Sequence, residues 1–381
     1  CNSHGICEDG VCKCNPDFFG RSCEASMMED KVYLPEGYPG ARPGDCHAAY
    51  HFGLDAAELI SELDIHYNPA ECSMENMALF DTGIRAFGAQ MNFLAVAMTH
   101  AYNHGKRMVF HGDWLYGSNK RCSQQQGHAC YFRMLSRRCH DNATIAMAQG
   151  TPPVDLRLRD YFVPPKYELK GMFWWRARLY NALLRPNDAV ELQVAQLEAR
   201  LGLRHPLIGV HVRHGDSCFH ASLSPSRPQC IPWTTYLQHI HNVSALYGAK
   251  MVYLATDDHE VEAAAADETR RHPDLPIVTQ PFDRRVFDAR MFIEHRVQHG
   301  FVDQSVVSDS TILDLFLLRN ADVFVGTFSS QLGRLIYAMM ATHKGFHPPF
   351  VSLDYAWGGQ VVEEIDEVRE TETRLGIHHE L

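Results

Sequence analysis

The sequence predicts an α/β protein: a parallel, doubly wound sheet with helices on both faces, preceded by a small disulfide-rich module. Three observations carry this. From residue 207 onward, apolar strand-like runs alternate with helical patterns, the mark of βα repetition. Before that, a Gly-containing turn at 83–88 opens a helical pattern that runs into an apolar strand. Finally, Cys1, Cys7, Cys12, Cys14 and Cys23 crowd the first 24 residues. A chain of 381 residues exceeds one ordinary core and is long enough for two domains.

Taken in order, residues 1–24, "CNSHGICEDGVCKCNPDFFGRSCE", differ from everything after them. Their Cys spacing, with its C-x-C and the "FFG" before the last Cys, resembles an epidermal-growth-factor-like module. Such modules have six Cys, and here the first is missing. The resemblance implies pairs Cys1–Cys12 and Cys14–Cys23, leaving Cys7 without its partner. A segment this short cannot build a core, so disulfides must hold it. Spacing or contact with a partner protein is its expected role. Residues 25–75 are punctuated by Pro and Gly and read as a linker or elaboration. Residues 76–186 form the first α/β domain, with a helix from about Ala89 to His104 and the strand "KRMVF". Its Gly-containing turn presents free backbone N–H groups at a helix start, a ready anion site. Residues 173–203 read as two helices broken at Pro186, where the second domain, 187–360, begins. In that domain "LIGVHVR", "KMVYLAT", "LPIVT" and "DVFVGT" are strands. Residues 361–381 are a tail.

Composition bounds the function. Hydrophobic residues make up 45% and charged residues 21%, as in soluble globular proteins. The net charge of −11 argues against a nucleic-acid partner, which needs a basic surface. A local basic pocket for one phosphate ligand is compatible with it. Twelve Cys point to an oxidising compartment. Asn142 in "NAT" and Asn242 in "NVS" are candidate glycosylation acceptors. No apolar run approaches the ~20 residues of a membrane span, and no signal peptide starts the chain. The expectation is a mature or trimmed ectodomain of the secretory pathway, in the Golgi lumen or outside the cell, with any membrane anchor not in this chain. Many of the 23 His could gain charge in a mildly acidic compartment.

In doubly wound sheets, ligands sit beyond the carboxyl ends of the strands. Three strand ends here are polar: "HVRHGD" at 211–216, "TDD" at 256–258 and "GTFSSQ" at 326–331. Arg213 offers a planar fork of donors suited to phosphate. Thr327, Ser329 and Ser330 lie at a helix start, where hydroxyl and N–H groups bind phosphate. His211 and Asp314 could hydrogen-bond a base or ribose. Asp216, Asp257 and Asp258 are the carboxylates nearby. The set suits a nucleotide diphosphate held without metal. Plainer roles compete: Asp257–Asp258 and "TFSS" could be helix caps, Asp216 could merely orient Arg213, and His214 suits a structural role. The acidic pair does not match the Asp-x-Asp spacing of metal-dependent glycosyltransferases. The later Cys form no C-x-x-C pair for zinc, and neither Gly-x-Gly-x-x-Gly nor a P-loop is present.

"GVHVRHGD", "YLATDD", "ILDLFLLRNADVFVGTFSSQLGRLIYAM" and "HPPFVSLDYAWGGQ" resemble, in order, the motifs of the α1,6-fucosyltransferases, the N-glycan core and nodulation-factor enzymes among them. "FGAQMNFLAVAMTHAYNHGKRMVF" and "FWWRARLYNALLRP" resemble the N-terminal half of that family, so the likeness runs from about Gly83 to Gln360. It implies a GT-B-like pair of Rossmann-type domains facing a cleft, GDP-fucose as donor substrate, no metal or other cofactor, and a glycan or glycoprotein acceptor. By position, His211 and Asp314 would read guanine and Arg213 would bind the β-phosphate. Ser330 with Thr327, Phe328 and Ser329 would complete the phosphate cradle, and Asp257 and Asp258 match the family's paired acids. Phe87 and Gly88 would close over the donor from the other domain. The implied reaction is inverting: an acceptor hydroxyl attacks the anomeric carbon, a carboxylate takes its proton, and Arg213 stabilises charge on the departing diphosphate.

Departures set the open questions. Where the core enzyme carries a Lys after its arginine motif, Ser217 stands; where it carries a catalytic Glu, gapless counting finds Ala221. "SCFHASLSPSRPQC" holds no carboxylate, and Cys218 and Cys230 could pair within it. The base is then Asp216, His220, a residue of another segment such as Glu294 in "FIEHR", or absent. Where the core enzyme has an N-terminal coiled coil this sequence has a Cys-rich module, and too little of it follows "WGGQ" for that enzyme's C-terminal β-barrel, so acceptor choice is not expected to copy it. Two alternatives stay open: a transferase using another nucleotide sugar, and a non-catalytic structural or carbohydrate-binding protein on the same fold.

Overall fold

The computed structural model describes residues 3–8, 11–20, 22–37, 54–68, 70, 77–81, 85–111, 114, 116–117, 122, 127–133, 135, 162–223, 228–287 and 291–358. Cys1, Asn142 and the 361–381 tail lie outside them, as does the side chain of Cys7.

The main sheet is built from β8 (Leu207–Val212), β9 (Met251–Thr256), β10 (Ile277–Val278), β11 (Val323–Gly326) and β12 (Phe350–Ser352), all parallel to their neighbours. β8, β9 and β11 are buried along their whole length, which is why they read as continuous apolar runs and not as alternating ones. The order is β10-β9-β8-β11-β12-β5, with β5 (Val32–Tyr33) the one antiparallel strand, at the edge. The chain thus winds outward through β9 and β10, then returns to the other side of β8 at β11. The gap between β8 and β11 is a topological switch point, where a crevice opens. Helices α6 (Trp233–Tyr247) and α7 (His259–Arg271) cover one face through Tyr236, Ile240, Val243 and Val261, packed on Val210 and Leu254. Helices α9 (Gln304–Asn320) and α10 (Gln331–Lys344) cover the other through Leu315, Phe316 and Tyr337, against Tyr253 and Phe324.

Among the described residues, the earlier α/β unit is β6 (Met77–Asp81), α2 (Phe87–Asn103) and β7 (Arg107–His111), with β6 and β7 parallel. Helix α3 (Met172–Leu183) pins α2 from behind: Trp175 Nε1 donates to Thr99 Oγ1 at 2.9 Å, and Arg176 Nη2 donates to Asn92 Oδ1. Helix α4 (Asp188–Leu201) follows, capped by Asn187 just after the break at Pro186. One continuous hydrophobic cluster joins α2, α3 and α10, so the two α/β units share a core and face each other across the crevice.

The N-terminal module is built into this core. Its strands β1 (Gly5–Glu8) and β2 (Val11–Cys14) pair antiparallel, as do β3 (Phe18–Phe19) and β4 (Ala25–Ser26) across residue 24. Cys14 and Cys23 are bonded as the resemblance implied, and Cys12 is in a disulfide. Phe19, 1% exposed, stacks on His347 with ring centroids 4.1 Å apart. The segment read as a linker continues as β5 (Val32–Tyr33), which pairs antiparallel with β12 and covers that sheet edge. It also supplies α1 (Leu54–Tyr67).

Asp17 is the tightest joint. Helix α3 begins after Gly171, which has no side chain to cap it. The Asp17 carboxylate takes that place from the module, accepting from Phe173 N at 2.7 Å and Met172 N at 3.0 Å. Replacing a capping carboxylate costs about 1–2 kcal/mol. Asp17→Ala is therefore expected to lower the melting temperature while leaving the cleft chemistry intact, and an unchanged melting curve would show the module to be uncoupled from the core.

Candidate active site

The crevice at the switch point is a cavity of about 500 Å³. Its walls come from the ends of β8 and β9, the starts of α2 and α10, helix α9, and helix α8 (Ile293–Gln298).

Arg213 follows β8 directly. Its Nη1 pairs with Asp257 and its Nη2 with Asp216, so two carboxylates brace the guanidinium at the cavity wall, where it is 25% exposed. Asp257 also accepts from His214 N at 2.8 Å. The Gly in "HGD" is required: at φ +31°, a Cβ on Gly215 would lie 2.6 Å from Asp257 Oδ2. Helix α5 (Gly215–Leu223), which the pattern did not reveal, carries Asp216 in its first turn and is tied to the next segment by Cys218–Cys230.

Two helix N-termini meet at the same cavity. Ala86, the N-cap of α2, has no side-chain hydrogen bond, and Ala86 to Ala89 line the cavity. Ser330 caps α10, accepting from Gly333 N at 3.3 Å, and lines the cavity with Ser329. So Ser330 acts as a helix cap while also facing the cavity. The helices meet because residue 88 is Gly: a Cβ there would fall 2.5 Å from Leu332 N. The start of α2 has no side-chain cap, and the helix dipoles at both starts favour an anion.

His211 and Asp314 also line the cavity. His211 is buried, and burial together with the Arg213 charge holds its pKa down to about 3, so the ring is neutral. Its Nδ1 has no hydrogen-bond partner. Asp314 Oδ1 accepts from Tyr253 Oη and from Gln280 Nε2 at 2.5 Å. Burial, the largest influence, pushes its carboxyl up to about 6 against the pull of those two donors.

Several expected residues are placed elsewhere. Thr327 and Phe328 do not line the cavity: Thr327 bonds Tyr236 in the interior, and Phe328 is fully buried, stacked beside Phe324. The N–H groups of Phe328 and Ser329 go to the Asp354 carboxylate, which sequence reasoning missed. Asp258 faces away too: it caps α7 through Glu260 N and Val261 N and pairs with His214 Nδ1 at 2.9 Å, which lowers its pKa. His214 Nε2 reaches Ile231 O, so that imidazole is structural. Neither expected base is free in the cavity. Both oxygens of Asp216, 3% exposed, are engaged, by Arg213 and by Ile293 N. His220 stacks behind Phe292 at 3.9 Å between centroids and does not line the cavity. Glu294 does line it, with Oε2 buried and no hydrogen-bond partner.

The fold and cleft define an α/β protein with a cavity at a topological switch point, lined by a braced arginine and two helix starts. Residues 166–357, half of the chain, match the family model for alpha-(1,6)-fucosyltransferase N- and catalytic domains, and the chain belongs to that family. Residues 1–26 match a Teneurin-like EGF domain. An alpha-(1,6)-fucosyltransferase of Drosophila melanogaster is 24% identical over 375 residues, covering 90% of this chain. The alignment spans 56% of that relative, so this chain corresponds to little more than half its length. Among solved structures, NodZ alpha-1,6-fucosyltransferase soaked with GDP-fucose is similar at 16% identity and a TM-score of 0.42, over 69% of this chain and 92% of that one. POFUT1 in complex with GDP-fucose is similar at 13% identity and a TM-score of 0.42, over 74% and 99%.

Proposed function

We propose that this chain transfers fucose from GDP-fucose to a hydroxyl of a glycan or glycoprotein acceptor, with inversion and without a metal, in the lumen of the Golgi. The observation that carries the reading is that the braced Arg213 and two helix N-termini line one cavity. A diphosphate between them would meet a bidentate cation and N–H donors at once. Guanine would lie toward His211 and Asp314. A neutral imidazole nitrogen and a buried carboxylate oxygen are acceptors or donors a purine edge can satisfy.

Carboxylate geometry supports metal independence. Asp216 and Asp257 are committed to Arg213, and Asp258 to His214 and a helix start. Among the described residues, the group with metal-ligand spacing, His241, Glu268 and His272, lies on α6 and at the end of α7, outside the cavity lining. Arg213 and the helix starts would then stabilise the leaving diphosphate, the largest single contribution in this class of chemistry. Disulfides Cys14–Cys23, Cys122–Cys130 and Cys218–Cys230 agree with an oxidising lumen, and no helix among the described residues is long and apolar enough to cross a membrane.

The test is GDP release from GDP-fucose over a panel of glycan and glycoprotein acceptors with chelator present, with mass spectrometry of the products. Fucosylated product is the expected outcome. Turnover only with another nucleotide sugar, or with none, would replace the reading by one of its alternatives.

A further inference from the structure

We infer that Glu294 is the general base that takes the proton from the acceptor hydroxyl; the inference rests on the fucosyl-transfer reading of the cleft. Residues 217–230 after the arginine motif carry no carboxylate. Among the described residues, the carboxylates that line the cavity are Asp257, Asp314 and Glu294. Asp257 is held by Arg213 and His214 N, and Asp314 by Tyr253 and Gln280. Glu294 differs: its Oε2 is buried without a partner. A buried polar atom left unpaired costs about 1–3 kcal/mol, and such atoms are retained where a substrate supplies the missing bond. A hydroxyl donor is what an acceptor sugar brings.

The position of Glu294 is fixed by the same carboxylate that braces the phosphate-binding arginine. Phe292, at the start of α8, offers no side-chain cap. Asp216 takes that role from α5: one oxygen pairs with Arg213, and the other accepts from Ile293 N at 2.9 Å. A single buried side chain thereby ties Arg213 to the backbone at the start of the helix that carries Glu294. Phe282, Phe287 and Phe292 form an apolar wall at this end of the cavity. The Tyr116 hydroxyl is also near, since the Glu294 charge adds to the burial that raises its pKa.

In the step, the acceptor O–H bond breaks and its proton moves to Glu294. The oxygen's electron pair forms the bond to the anomeric carbon. The bond from that carbon to the β-phosphate oxygen breaks, and its electron pair leaves on GDP, where Arg213 meets the charge.

The experiment is steady-state kinetics of the wild-type chain, Glu294→Gln and Glu294→Ala, read as GDP release with the best acceptor of the panel, with GDP affinity measured in parallel. Glu294→Gln is expected to lose about 10²–10⁴-fold in kcat with GDP affinity unchanged, the usual range for a general base. Added formate, a small carboxylate, should restore part of the Glu294→Ala rate and none of the Arg213→Ala rate. Wild-type kcat in Glu294→Gln overturns the inference and leaves the transferase reading standing. So does a kcat loss accompanied by lost GDP affinity, or one that formate cannot rescue, either of which makes Glu294 a positioning residue. Absence of turnover in the wild-type chain itself removes both readings together.

Discussion

Arg213→Ala is expected to abolish measurable GDP binding and to lower kcat/KM by about 10³-fold, the scale of losing a preorganised charge clamp. The loss has two parts. The leaving diphosphate loses its bidentate donor. In addition, Asp216, 3% exposed, and Asp257, 13% exposed, lose their shared cation and turn negative charge on the ligand. Orphaning buried carboxylates also costs stability, about 3–5 kcal/mol when one partner of a buried pair is removed. Arg213→Lys separates the effects. A single ammonium keeps the charge but cannot bridge two acids and still donate in a fork. It should therefore retain the fold better than Arg213→Ala and recover little of kcat/KM. Kinetics and melting curves on both variants check this.

Gly88→Val is expected to destabilise the chain by about 3 kcal/mol, the upper end of overpacking costs, and to weaken GDP binding with it. The obstacle is backbone: a Cβ at residue 88 would lie 2.5 Å from Leu332 N and 2.9 Å from Gln331 C. No side chain can swing aside, so α2 and α10 must separate. Those are the two helix starts that line the cavity with Arg213, and under the proposed function their spacing sets the room for the diphosphate. Chemical denaturation measures the first effect and GDP calorimetry the second. A variant as stable as the parent would show that the two helices do not touch as described.

The strongly periodic parts of the fold were legible in the sequence. β8, β9 and β11 are fully buried parallel strands, so their composition alone marks them, and the helices between them are long and amphipathic. That a site lies at the carboxyl ends of the strands follows from three polar strand ends; the switch point needed the strand order. What was not legible depends on contacts distant in sequence. β5 reads as linker because only the exposed edge of β12 makes it a strand. Asp17 lies in a Cys-rich turn, and nothing near it predicts that it caps a helix that starts at residue 172. Short α5 and α8 rest on Asp216 and a disulfide, not on periodicity. In the site, polar strand ends and the family resemblance pointed to Arg213, His211, Asp314 and Ser330, all of which line the cavity or its wall, but could not tell which acids were already occupied. "TDD" offered two equivalent carboxylates; packing turned Asp257 to Arg213 and Asp258 to His214. "TFSS" offered four phosphate ligands, and the sharp turn into α10 buried Thr327 and Phe328. Glu294 was visible only as one of several substitutes for a missing acid.

The most direct measurement is calorimetric titration of the wild-type chain with GDP and with UDP, in chelator. One-to-one GDP binding that persists without divalent ions is expected, with clear discrimination against UDP as the proposed pairing of His211 and Asp314 with the purine requires. No binding of either nucleotide, or GDP binding that appears only when a divalent ion is restored, would contradict the proposed function.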